Sequence, residues 1–171
     1  MNVLEFLFQD IPEQMSIALL RFLGNNEDNL VAVNSTIPNC HVPKLFSPSL
    51  FAFLATNDDF SMAYHTKLLI LANCQLKGEA LLLFKERGVV DVRLLVDVQN
   101  FIDNSCCPSI KDLHKWCEKI SLQFNVSHYY CGYDPVDDRD MQFFTDKGQG
   151  ELYDIDFIDN YYKYLKASLT N

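Results

Sequence analysis

Val92, Leu94, Val96 and Val98 alternate with Asp91, Arg93, Asp97 and Gln99. Successive side chains of a strand point to opposite faces, so this stretch buries one face and wets the other only as a strand. Such a strand needs neighbours for its backbone and an apolar layer to lie on it. The layer follows in the chain. Ser109 and Asp112 have the spacing of a capping box just after Pro108. Ile110, Leu113, Cys117, Ile120 and Phe124 then recur at helical spacing, which predicts a helix with one apolar seam.

Other segments are read the same way. Asp10-Ile11-Pro12-Glu13 predicts a helix start with Asp10 as N-cap, then Ile11, Met15, Ala18 and Phe22 as a stripe ending at Gly24. Leu30 to Val33 and Leu50 to Leu54 predict short strands. The three prolines at 38, 43 and 48 predict an irregular connection between them. Asn57-Asp58-Asp59 offers caps for a helix carrying Phe60, Ala63, Tyr64, Leu68 and Leu71. Glu79 to Arg87 fits either element, and its Lys-Glu-Arg-Gly ending favours helix. Val126 to Tyr133 and Met141 to Thr145 predict two strands joined by an acidic loop. A C-terminal helix is expected from about Phe157, carrying Ile158, Tyr161, Tyr162, Leu165 and Leu169. The expectation is one α+β domain over residues 1–171, with a mixed, mainly antiparallel sheet of about five strands packed with helices.

The chain of 171 residues is long enough to bury a core without disulfides or metal. Its first residues lack a positive leader and hold Glu5 inside their apolar run, so no signal peptide is expected. No apolar run approaches the ~20 residues of a membrane helix. The six cysteines, with no Cys-x-x-Cys, suit a reducing compartment, and a cytoplasmic protein is expected.

Net charge is −9. Nucleic-acid binding draws its affinity from Lys and Arg, so direct binding to nucleic acid is not expected and a basic protein is the natural partner. The acids are concentrated. From Asp134 to Asp159 nine acids face two bases, a net −7, and the rest of the chain carries only −2. A localised acidic surface steers a basic partner. Asp154, Asp156 and Asp159 suit a helix N-terminus. Asp134, Asp137, Asp138, Asp140, Asp146 and Glu151 fit a solvated loop or a binding epitope equally. Tyr129, Tyr130, Tyr133, Phe143, Phe144 and Tyr153 flank that loop, and outward rings beside Asp would have the composition of an interface hot spot.

Enzymatic readings are weaker. Cys106-Cys107-Pro108-Ser109 lies at a helix start, which can activate a thiol, yet a base beside it is lacking, since His114 falls further along the helix. Packing accounts for a cysteine as readily. A zinc reading would gather Cys106, Cys107, His114 and Cys117, although Cys117 lies on the apolar seam. The Asp134–Asp140 loop has oxygen ligands but not the alternating pattern of a calcium loop. His41, His65 and His128 are isolated, and no Gly-rich phosphate loop is present. No cofactor and no metal is expected.

Tyr130-Cys131-Gly132-Tyr133-Asp134-Pro135-Val136-Asp137-Asp138-Arg139-Asp140-Met141-Gln142-Phe143-Phe144-Thr145 resembles small bacterial immunity proteins of contact-dependent inhibition and related polymorphic-toxin systems. The whole chain is similar in kind. The resemblance implies an inhibitor, not an enzyme, that binds a cognate toxin C-terminal domain, commonly a nuclease, and blocks it with acidic residues. The expected contact surface is Tyr133, Asp134, Asp137, Asp138, Asp140, Asp146 and Glu151. A thiol or metal enzyme and an acidic mimic of nucleic acid are the alternatives.

Overall fold

The alternating segment is a central strand. The computed structural model describes residues 3–37, 43–72, 74–76, 80–103 and 108–156. In chain order its strands are β1 (Val3–Ile11), β2 (Leu30–Ser35), β3 (Phe60–Thr66), β4 (Leu69–Leu71), β5 (Cys74–Leu76), β6 (Ala80–Glu86), β7 (Val89–Asp97), β8 (His128–Tyr133), β9 (Gln142–Thr145) and β10 (Gly148–Gln149). The helices are α1 (Glu13–Gly24), α2 (Ser49–Thr56), α3 (Val98–Asp103) and α4 (Ile110–Phe124). Eight strands form one sheet in the order β10-β9-β8-β1-β7-β6-β3-β2, and β4 pairs with β5 alone. Every pairing between neighbours is antiparallel. The α+β class is as expected, with eight strands in the main sheet in place of about five.

Helix α4 forms as its sequence predicts. The Ser109 hydroxyl accepts the Asp112 N–H and the Asp112 carboxylate accepts the Ser109 N–H, both at 3.2 Å. The Ser109 hydroxyl also donates to the Asp112 carboxylate at 2.7 Å, and this bond first, then the Ser109 N–H, holds the Asp112 carboxyl below its usual pKa. Ile110, Leu113, Cys117, Ile120 and Phe124 are all buried. Each such side chain contributes roughly 1.5–3 kcal/mol when removed from water.

Several segments differ from expectation. Residues 3–11 form β1, the strand between β7 and β8. Asp10 is therefore no helix cap: its φ is 55° at the end of β1, and Pro12 precedes α1. The buried face of α1 is Ser16, Ile17, Leu19, Leu20, Leu23 and Gly24, which leaves Phe22 43% exposed. Residues 50–54 lie in α2, burying Leu50, Phe53 and Leu54 at i, i+3 and i+4. Residues 60–66 are a strand, because Phe60, Met62, Tyr64 and Thr66 alternate inward between β2 and β6. Residues 80–86 are also a strand. Arg87 and Gly88 both have positive φ and form a two-residue hairpin turn into β7, so Lys-Glu-Arg-Gly is not a helix end. The expected helix from Phe157 lies outside the described residues, as do Cys40, Cys106, Cys107 and His41.

The core fills one side of the sheet. Leu4, Phe6 and Phe8 of β1, Leu81 and Leu83 of β6, and the inward residues of β7 join buried residues of all four described helices in one cluster. Among the described residues no helix covers the other face.

Candidate protein-interaction surface

The acidic loop folds back over that second face. Leu7 of β1 points to it, since Leu4, Phe6 and Phe8 point to the core. Leu7 and Val136 are nonetheless 0% exposed, and they stand apart from the main core cluster. One line of the register carries Leu82, Arg93, Leu7, Tyr130 and Thr145 across β6, β7, β1, β8 and β9.

Glu5 is the anchor. Its carboxylate is 1% exposed, although it lies in the middle of an apolar run. Arg93 Nη1 donates to Glu5 Oε1 at 2.9 Å, and the Val136 N–H donates to Glu5 Oε2 at 2.9 Å. Arg93 Nη2 reaches on to Asp137 Oδ2 at 3.4 Å. Unpaired, a buried carboxylate costs several kcal/mol, so the cation and the loop N–H are required where they stand. The Gln142 side-chain amide donates to the Val136 carbonyl at 2.9 Å, and the Asp134 N–H donates to the Val3 carbonyl at 3.1 Å. A short 3-10 turn, Arg139–Met141, follows, and the Asp138 carboxylate accepts the Asp140 N–H.

Two glycines permit this packing. A Cβ on Gly132 would lie 2.2 Å from the Met141 carbonyl oxygen, and one on Gly150 would lie 2.4 Å from that of Gln142. Only a residue without a side chain lets the chain cross there.

Asp134, Asp137, Asp138 and Asp140 are brought together on the loop, and all four are exposed. Asp137 and Glu151 share a cleft of about 430 Å³ with Tyr130, Arg139, Gln142 and Lys147. Asp146 stands apart at the turn after β9, where its carboxylate meets His128 Nδ1 at 2.9 Å. Tyr133 does not face solvent. It is 5% exposed, and its ring packs edge-on to Phe143 at 5.1 Å. The half-buried ring on the open face is Tyr130. Burial first, then the charges of Asp146, Asp137 and Asp10, push its hydroxyl pKa up.

Sequence reasoning did not identify Glu5, Arg93 and Gln142 as parts of this surface, and among the rings flanking the loop it chose Tyr133, not Tyr130, as the outward one. Glu5 carried the available signal, because a carboxylate inside an apolar strand requires a buried partner. Nothing in the sequence named Arg93, 88 residues away, as that partner.

Of the described residues in the thiol and zinc readings, Cys117 and His114 pack into the fold. Burial, then Glu118, raises the Cys117 thiol pKa well above its ordinary value; burial, then Cys117, does the same for Cys131. The His114 ring stacks on Phe144 at 4.4 Å, with Tyr129 and Tyr153 against its edges. Among the described residues no group of three or more His, Cys, Asp or Glu is placed to hold a metal, and no helix is long and apolar enough to cross a membrane.

A family model described as PABL017 Cdi1I immunity protein matches residues 2–149. Among solved structures, the crystal structure of the toxic C-terminal tip of CdiA from Pseudomonas aeruginosa in complex with immune protein holds a chain of similar fold. The TM-score is 0.72 at 23% identity, over 88% of this chain and 98% of that one. No curated protein matches the sequence.

Proposed function

Because the chain belongs to the Cdi1I immunity protein family, whose model matches residues 2–149, we propose that it binds and neutralises the toxic C-terminal domain of a cognate CdiA-type protein. That family match carries the reading. The similar chain comes from a complex of a CdiA toxin tip with its immune protein, which supports the same kind of partner. The protein acts by stoichiometric binding in the cytoplasm, without turnover.

The acidic loop supplies the contact. Support comes from its charge and from its fixing: Asp134, Asp137, Asp138 and Asp140 are exposed on a backbone held at Glu5, Val3 and Gln142. Charges on a fixed scaffold need little ordering on binding. Glu151 extends the surface through the shared cleft, and Asp146 lies at its margin. Tyr133 contributes from beneath, as support for the strand that leads into the loop. The toxin domain is basic, and a nuclease meets that description because it must itself attract phosphate.

The test is coexpression with the C-terminal domain encoded immediately upstream. A one-to-one complex on size exclusion and restored growth of toxin-expressing cells are expected. Absence of both overturns the reading.

A further inference from the structure

Phe84 is 36% exposed and Val89 41% exposed, both on the sheet face that no described helix covers. They line a cleft of about 310 Å³ with Asp10, Glu86, Arg87 and Asp91. A second cleft, of about 420 Å³, lies on the other side of Phe84, with Asp59, Glu86 and Arg87 in its wall. Phe84 is thus a ridge between two clefts at the β6–β7 turn. The Arg93 guanidinium lies 5.3 Å from the centre of its ring, and the same side chain holds Asp137. One residue therefore joins the exposed ring to the acidic loop.

We propose that the open sheet face, from the acidic loop to the β6–β7 turn, is the docking surface for the basic toxin domain, with Phe84 as its apolar anchor. The proposal rests on the immunity reading and adds to it the location of the apolar centre. Charge selects the occupant. Asp10, Glu86 and Asp91 outnumber Arg87 at one end of the face, and Asp134, Asp137, Asp138 and Asp140 border the other. A second copy of this chain would set like charges against like, whereas a basic domain meets attraction at both ends. An aromatic ring flanked by clefts and rimmed by charge has the composition of a binding hot spot.

The experiment measures association and dissociation of the purified chain with the C-terminal domain encoded upstream. Phe84→Ala is expected to raise the dissociation rate by about 10- to 100-fold and to leave the association rate nearly unchanged. Phe84→Tyr should retain most of the binding. Leu122→Asp, on an 82% exposed position of α4, should change neither rate. If the wild-type chain does not bind, the immunity reading and this proposal fall together. If it binds and Phe84→Ala dissociates at the wild-type rate, only this proposal falls. Amide exchange of the β6–β7 turn in the wild-type complex covers the case in which Phe84→Ala does not fold: slowed exchange is expected, and unchanged exchange overturns the proposal. Protection already present in the free protein, and lost on deleting residues 157–171 or on dilution, would assign the face to the chain itself and also overturn it.

Discussion

Glu5 on β1 and Arg93 on β7 are diagonal neighbours across adjacent strands, joined at 2.9 Å with the carboxylate 1% exposed. The pair faces away from the main core, and it carries the acidic loop through Val136 and Asp137. Fold stability and the placing of the loop therefore depend on the same two side chains.

Arg93→Ala should destabilise the protein by about 3 kcal/mol, the low end for a broken buried pair, because Arg93 itself is 29% exposed and solvent partly replaces it. The double variant Glu5→Leu/Arg93→Leu should lose less than Arg93→Ala, since no unpaired buried charge is left. Denaturant unfolding of the three proteins checks the ordering. A double variant weaker than the single would reject the account.

Gly132→Ala places a methyl group 2.2 Å from the Met141 carbonyl oxygen, so loop and strand must part. A loss of about 1–3 kcal/mol is expected. Slower association with the toxin domain should accompany it. A shift in unfolding midpoint too small to measure would show that the crossing is looser than the distance implies.

Stability should fall at alkaline pH. Burial, then Glu118, Cys117 and Asp146, pushes the Tyr129 hydroxyl up to about 12 from 10.0. Burial alone would lower the pKa of Lys85, but hydrogen bonds and charge from Glu13 and Asp58 outweigh it, and the net shift is upward from 10.5. Both folded-state values lie above the unfolded ones. Their contributions are therefore complete below pH 10 and are lost as pH rises toward 12. Unfolding at pH 8, 10 and 11 should show the decline, and Tyr129→Phe should make it shallower. An identical slope in that variant would exclude Tyr129 as a source.

Changing Asp134, Asp137, Asp138 and Asp140 together to Asn should slow association with the toxin domain and flatten its salt dependence. Exposed charges act over about 8–10 Å at physiological ionic strength. The fold should tolerate the change, because Asn replaces the Asp138 cap without loss and the Arg93–Asp137 ion pair is long and exposed on the Asp137 side, so losing its charge costs little. Stopped-flow measurements at low and high salt decide it. An unchanged low-salt rate would mean that the loop does not steer the partner.

Segments whose periodicity admits one element were legible. The β7 alternation, the α4 capping box and seam, and the β8–β9 pair with its acidic connection follow from local side-chain direction and hydrogen bonding. Residues 50–54 and 60–66 were not legible. Leu50, Phe53 and Leu54, or Phe60, Met62 and Tyr64, satisfy more than one period over so few residues. What lies on either side of them selects the element.

The sequence by itself determined the charge of this protein, its concentration between Asp134 and Asp159, and the helix and strands that flank it. Charge is a sum over residues, and capping is local to a few of them. Only the tertiary structure decided that Glu5 meets Arg93, that Tyr133 turns inward and Tyr130 outward, and that Phe84 comes within one side chain of the loop. Those relations rest on strand register between segments tens of residues apart. A shift of one residue would reverse every side chain from one face to the other.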